Sequence, residues 1–370
     1  MPLKTLVVDD TILFRKILVD VLARIPEVLV VGTALNGRMA LEKARELSPD
    51  LITLDLEMPD MDGLQVLRTL RSSGNECGVI IASAYSIKGG ESTIQALEMG
   101  AFDFIAKPLG STIEESRNII FESLQPKIKA FQKSKEVRAI FKGTFDKPKI
   151  TERFDYSQPS SNLCNFQENQ RRLKNFEKPE MILIGVSTGG PSALSLLLPS
   201  IPQNFEVPII IVQHMPPIFT QSLAESLSAK CKIKVKEVTN GETINPGTAY
   251  IAPGGKQMQL CKRDKDIKFL KLTDDPPENN CKPSVDYFFR SVATAFPGKA
   301  AAIILTGMGI DGTLGIKLLK RYGCYCIAQS QESCVIFGMP RSVIEAGLAD
   351  STLRLDMIPQ KMVELSKGRF

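Results

Sequence analysis

Among 370 residues there is one histidine, His214. It ends the oily run of "IIIVQHMPP" (209–217), just where two prolines force the chain to turn. An imidazole there is a plain strand-end residue unless a nucleophile and a carboxylate reach the same place, in which case it is a general base. "ILIGVSTGGP" (182–191) offers the nucleophile. Ser187 sits in Gly185-Val-Ser-Thr-Gly189, between an apolar strand pattern and helix-forming "SALSLLL". Small residues permit a sharp strand-to-helix turn that exposes the hydroxyl, and N–H groups at the helix start can face a developing oxyanion. The same spacing also occurs in ordinary glycine-rich turns.

Chain order selects the acid. Lipase-like hydrolases run serine, acid, histidine. Here the acid between Ser187 and His214 is Glu206, which precedes the strand that ends at His214 and so belongs to the opposite sheet edge. The carboxylate must therefore follow His214. Asp311 in "IILTGMGIDGT" (303–313), directly after an apolar run, is the candidate. A serine, its base and an orienting carboxylate make acyl-transfer chemistry. The same loop spells Gly307-x-Gly309-x-x-Gly312 with Glu332 further on, a dinucleotide fingerprint. That reading ranks lower: the motif arrives late in the chain and sets Asp311 where a pyrophosphate would lie.

A second cluster lies in the first third. Asp9 and Asp10, Asp55, Ser83 and Lys107 follow successive apolar runs. In open α/β sheets ligand sites lie beyond the carboxyl ends of the strands. Carboxylates brought together repel unless a cation sits among them, and oxygen ligands with open positions suit Mg²⁺. Lys107 and the Ser83 hydroxyl would steady the remaining oxygens of a phosphoryl group.

The elements that must position these residues alternate. "TLVVDD", "EVLVVGTA", "DLITLDL", "GVIIASA" and "DFIAKP" read as strands separated by amphipathic helical stretches, with a fifth helix in "STIEESRNIIFESL". Such alternation means a parallel sheet covered by helices. The segment 125–178 continues as helix at first and then becomes polar and Pro/Gly/Ser-broken. Between Pro126 and Pro179 it holds 13 Lys/Arg against 6 Asp/Glu, while the whole chain carries +5. A basic excess outside the folded pattern reads as a solvated linker, so no nucleic-acid partner is expected. From 179 the alternation returns with "EMILIGV", "VPIIIVQ", "AAAIILT" and "CYCIAQS"; "GTAYIAPGG" and "MQLCKRDKDIKFLKLT" read as antiparallel strands inserted into it.

No apolar run approaches the ~20 residues of a membrane span, and "MPLKTLVVDD" shows no signal-peptide pattern. The eight cysteines form no C-x-x-C. A reduced, cytoplasmic protein without membrane insertion is expected.

Residues 3–124 resemble the receiver domain of two-component response regulators, through the "DD" pair, "LDLEMPDMDG", "SA" and "KP". The resemblance implies that Asp55 accepts a phosphoryl group from a histidine kinase. It also implies that Asp10, Asp55 and the Glu57 carbonyl hold Mg²⁺ with Asp9 close by, that Ser83, Phe104 and Lys107 are switch residues, and that Pro108 is cis. The whole chain resembles the protein-glutamate methylesterases of bacterial chemotaxis, through "IGVSTGGP", "VQHMPPIFTQSLAESL", "AYIAPGG", "KPSVDYFFRSVA", "LTGMGIDG" and "FGMPRSVIEAG". That family implies Ser187 as nucleophile, His214 as base then acid, Asp311 as its orienter, the Met308 N–H in the oxyanion hole and Thr188 lining the site. Relatives often carry His-Met after "APGG", where this chain has Gln257.

The expected fold is α/β throughout. A flavodoxin-like receiver with a five-stranded parallel sheet fills 3–124, and a basic, largely flexible linker fills 125–178. A doubly wound α/β serine esterase domain with a small antiparallel insertion fills 179–370. The expected function is phosphorylation-activated hydrolysis of glutamyl γ-methyl esters on chemoreceptors, releasing methanol, with deamidation of receptor glutamines. A chemotaxis histidine kinase would be the phosphodonor, and no cofactor is expected in the esterase domain. The contrasting class is a response regulator with a dinucleotide-binding or non-enzymatic effector domain. A helix-turn-helix effector conflicts with the α/β pattern after 179.

Overall fold

In the computed structural model, residues 2–108, 112–143, 176–263 and 267–369 are described. The first sheet is made of β1 (Leu3–Val8), β2 (Val28–Ala34), β3 (Leu51–Asp55), β4 (Gly78–Ser83) and β5 (Asp103–Ala106). Its order is β2-β1-β3-β4-β5 and every pairing is parallel. β3 and β4 are buried along their whole length, which is why they read as unbroken apolar runs instead of alternating ones. Helices α1 (Ile12–Ala23), α2 (Gly37–Leu47), α3 (Gly63–Ser72) and α4 (Ile87–Glu98) connect the strands. The start of α3 is fixed by a capping box between Asp62 and Gln65. A Cβ at Gly63 would fall 2.2 Å from the Asp55 carbonyl, so this helix can begin against the strand end only with glycine there.

Helix α5 (Ile113–Gly143) runs well past residue 124 and contains Pro126. Ile120, Leu124, Ile128 and Phe131 recur on one face and are buried against the receiver core, which carries the helix through the first part of the expected linker. The remainder of that segment, 144–175, lies outside the described residues, and so does the flexibility expected of it. The Lys107–Pro108 bond is not cis; among the described residues the cis peptide is Lys282–Pro283.

The second sheet has seven strands in the order β15-β14-β13-β6-β7-β10-β8, all parallel. They are β6 (Met181–Val186), β7 (Ile209–Gln213), β8 (Lys234–Glu237), β10 (Thr248–Ile251), β13 (Ala300–Ile304), β14 (Tyr325–Gln329) and β15 (Ser351–Leu353). The "GTAYIAPGG" segment is thus a parallel strand of the main sheet and not part of an antiparallel insertion. Its four strand residues are all buried between β7 and β8, the environment of a central strand. The antiparallel piece is β9 (Glu242–Thr243), β11 (Gln257–Lys262) and β12 (Lys268–Thr273). Helices α6 (Gly190–Leu197), α7 (Phe219–Ser228), α8 (Val285–Ala295), α9 (Thr313–Arg321), α10 (Met339–Glu345) and α11 (Ile358–Ser366) complete the domain. No helix of the described residues is long and apolar enough to cross a membrane.

The two domains share two apolar clusters; in one of them Ile336 of the catalytic domain joins the receiver core that holds Ile120 and Leu124. Phe104 of the receiver meets Phe219 of α7 with ring centroids 4.6 Å apart, and Tyr85 meets the same ring edge-on at 6.0 Å. The approach of α4 to α7 needs Gly90, whose Cβ would lie 2.4 Å from Ser222 Oγ.

Candidate active site

β13, β6 and β7 are neighbours, so the residues beyond their carboxyl ends must meet. Ser187 follows β6, and its N–H donates to Thr306 O (3.0 Å) beyond β13. His214 follows β7, and its N–H donates to Val186 O (3.1 Å). Gln213, fully buried, ties the two turns together by donating to Ser187 O (3.0 Å) and His214 O (3.2 Å). Glycine is required twice. A Cβ at Gly190 would lie 1.9 Å from Gln213 Oε1, and one at Gly307 would lie 2.8 Å from Ser187 Cβ.

His214 Nε2 lies 2.8 Å from Asp311 Oδ2. Asp311 is buried, and donors surround it. It accepts from Ser284 Oγ and Asn279 Nδ2 at 2.9 Å, from Val285 N at 2.7 Å and from Asp286 N at 3.0 Å. Val285 and Asp286 open α8, so the carboxylate also lies at the positive end of that helix. Burial alone would push the Asp311 carboxyl up; the imidazole and these N–H donors outweigh it and hold the group well below the usual carboxylate range. The charge balance runs the other way at His214. Burial opposes the imidazolium, but the Asp311 carboxylate and the Cys281 sulfur overcome that and push the ring up to about 9. Asp286, beside Asp311 and buried, is pushed up to about 6, by burial first and by the neighbouring charge.

The ring's other nitrogen, Nδ1, faces Cys281 Sγ at 3.6 Å. Among the described residues, no hydrogen bond joins the Ser187 hydroxyl to the imidazole, and the Met308 N–H has no partner. Thr188 is engaged by the receiver. Its hydroxyl donates to Asp103 of the receiver at 2.7 Å, and its carbonyl accepts from Thr306 Oγ1. Asp311 is used here in the charge pairing, and the Gly307–Gly312 loop wraps the serine turn; neither presents a dinucleotide cradle.

In the receiver, Lys107 Nζ lies 2.7 Å from Asp55 Oδ2 and 2.8 Å from Asp9 Oδ2. Burial raises the Asp55 carboxyl to about 6; Lys107 opposes this and the Asp9 charge adds to it. Burial would lower Lys107, but the two carboxylates outweigh it and raise the amine. Asp9, Asp10 and Asp55 bring carboxylate oxygens within 4.8 Å of one another. Asp9 Oδ2 is buried without a hydrogen bond, close to Lys107 but not in bonding geometry, which is the kind of oxygen a hard cation takes. Asp10 is exposed, and the Glu57 N–H donates to Asp55 Oδ1 at 3.2 Å. Ser83 is fully buried and its hydroxyl donates to Gly89 O and accepts from Thr93. It points to α4, so it would have to rotate to meet a phosphoryl oxygen.

Several site members escape the sequence reading: Gln213, Asn279, Cys281, Ser284 and Asp103. Their chemistry is ordinary and comes from sheet neighbours and a turn remote in sequence. "KPSVD" is a visible motif, yet nothing in its spacing says that its backbone N–H groups grip Asp311.

Residues 182–362 match the family model described as CheB methylesterase, and residues 5–121 match the response regulator receiver domain. The chain is 46% identical to a Desulfotalea psychrophila protein named protein-glutamate methylesterase/protein-glutamine glutaminase, over 99% of each chain. It is 39% identical to a Thermotoga maritima protein of the same name, over 98% of each. The crystal structure of the Thermotoga maritima CheB methylesterase catalytic domain is similar to 51% of this chain and 100% of that one, with 45% identity and a TM-score of 0.49.

Proposed function

Because the chain belongs to the CheB methylesterase family, with a receiver domain ahead of the esterase, we propose that it hydrolyses glutamyl γ-methyl esters of chemoreceptors by a Ser187–His214–Asp311 mechanism. Ser187 Oγ attacks the ester carbonyl while His214 takes its proton at Nδ1, since Nε2 is committed to Asp311. Asp311 holds the ring and stabilises the imidazolium that forms. The unpaired Met308 N–H receives the oxyanion. His214 then returns the proton to the departing methoxide, so methanol leaves and a glutamyl-Ser187 ester remains. Water, deprotonated by the same ring, cleaves that ester to free glutamate and serine. A receptor glutamine enters the same sequence with ammonia as the leaving group.

The observation that carries this reading is the His214–Asp311 pair, held beyond the ends of β7 and β13 on either side of the strand that leads to a glycine-cradled serine. Running the reaction in ¹⁸O-water tests it. Acyl attack puts the isotope into the glutamate carboxylate, whereas ¹⁸O in the methanol would rule it out.

Control comes from the receiver. Asp55 accepts a phosphoryl group from a chemotaxis histidine kinase, and Asp9, Asp10 and Asp55, with the Glu57 carbonyl, would hold a Mg²⁺ ion, which would offset its charge. Lys107 pairs with the phosphoryl oxygens. Phe104 and Asp103 contact the catalytic domain directly, so phosphorylation shifts a closed interface toward an open one by as much as it favours the open form. With these partners the reaction belongs in the cytoplasm.

A further inference from the structure

We propose that Cys281 Sγ and His214 Nδ1 form a binding site for a borderline-soft divalent ion of the Zn²⁺ class, and that occupancy of this site switches the esterase off. Tetrahedral Zn²⁺ with bonds of about 2.3 Å to sulfur and about 2.0–2.1 Å to nitrogen sets those two atoms roughly 3.6 Å apart. The structure holds them at 3.6 Å. Asp311 grips the opposite ring nitrogen at 2.8 Å, the carboxylate–histidine arrangement that fixes a metal-bound imidazole. One donor atom from each of His214, Cys281 and Asp311 lies within 4.8 Å of the other two, so the orienting carboxylate sits close behind the two ligands.

The sulfur is held in place by its turn. Cys281 N donates to Glu278 O (2.9 Å), and Glu278 N donates back to Cys281 O (3.1 Å). Between them Asn279 and Asn280 are both left-handed, with φ of 53° and 58°. Gln257 Nε2 also donates to Cys281 O (3.2 Å), and Asn279 Nδ2 donates to Asp311. One turn therefore positions the thiol and helps to hold the carboxylate behind the ring. Both Cys281 and His214 are only partly buried, so an ion can reach them, and two protein ligands leave positions for water.

Ligand softness separates this site from the receiver's. Thiolate and imidazole select Zn²⁺ or Co²⁺ over Mg²⁺, whereas carboxylate oxygens suit Mg²⁺. Binding releases to solvent both the thiol proton and the proton that the imidazolium carries at Nδ1, and so strengthens with pH. The ion takes the lone pair on Nδ1 that would otherwise accept the Ser187 proton. This inhibitory consequence rests on the role proposed for His214, while binding itself does not.

The test uses the full chain with Co²⁺ as the spectroscopic probe. A thiolate-to-cobalt charge-transfer band should appear at about one ion per chain, persist in Ser187→Ala, and vanish in Cys281→Ala and in Cys281→Ser. Zn²⁺ should displace the cobalt and lower methanol release at least tenfold, reversibly with a chelator. Each Cys281 variant, compared with its own metal-free rate, should be unaffected by the same zinc. Absence of the band, or its persistence in both variants, would overturn the site. A Cys281-dependent band with undiminished turnover would uphold the metal site and instead overturn His214 Nδ1 as the base.

Discussion

The hydroxyl of Thr188 donates to the carboxylate of Asp103 at 2.7 Å, so the residue after the candidate nucleophile is bonded to the residue before Phe104 of the receiver. Lys127 also reaches this carboxylate, at 3.0 Å, and both partners of the bond are buried. The serine turn is therefore in direct contact with the receiver. If this contact restrains the unphosphorylated enzyme, Asp103→Ala should raise the rate without phosphodonor by about fivefold, the equivalent of about 1 kcal/mol. An unchanged or lower basal rate, with the fold intact, would show that the bond does not restrain the site.

Glu98 closes the same interface further out. It accepts from Ser195 and Ser226 and pairs with Lys230. Partial burial would raise its carboxyl, but these partners outweigh it and hold the group below the usual range. Because the pair is partly exposed, Glu98→Ala should raise the basal rate only about two- to threefold. Asp55→Asn should keep the wild-type basal rate and lose stimulation by a small phosphodonor. Activation retained in that variant would mean a phosphoryl acceptor other than Asp55, which mass measurement of the phosphorylated residue would detect.

The imidazole gives a pH signature that few enzymes allow to be read so simply, since His214 is the sole histidine. With its pKa raised to about 9, the ring is mostly imidazolium at neutral pH, and kcat/KM should climb with pH and level off above about pH 9. The ring NMR signals should titrate over the same range. The raised value also adds stability that is fully present below the unfolded pKa of 6.5 and is lost as pH rises through about 9. Asp311→Asn removes the largest raising influence, so the limb should move toward acid while turnover drops by about 10⁴.

Metal binding in the receiver should appear as stability. Mg²⁺ at about 100 times its dissociation constant adds about 2.7 kcal/mol to a fold that binds it only when native. The melting temperature should rise accordingly, and Asp9→Asn should lose most of that rise. An equal rise in the variant would remove the buried Asp9 oxygen from the ligand set.

Much of this is legible in the chain because its signals are local. The apolar runs that form β3, β4, β6, β7 and β13 are buried along their whole length and need no alternation to be seen. Ser187, His214 and Asp311 can be brought together because each follows such a run and the parallel strands bring those ends to one sheet edge. Thr248–Ile251 misleads because a four-residue strand beside a Gly-Gly turn looks like a hairpin arm; its parallel pairing with β7 and β8 is decided by partners elsewhere in the chain. Helix α5 runs on through Pro126 because the apolar face Ile120–Leu124–Ile128–Phe131 is anchored in the receiver core. Cys281 is invisible as a site residue. Its sulfur meets the imidazole through a turn of two left-handed asparagines closed by the Glu278–Cys281 backbone bonds.

Methanol release from methylated chemoreceptor membranes by wild type and Ser187→Ala, both supplied with Mg²⁺ and a small phosphodonor, tests the central claim most directly. The serine variant should fold, accept phosphate at Asp55 and release no methanol above background. Near wild-type release from that variant would contradict acyl transfer through Ser187.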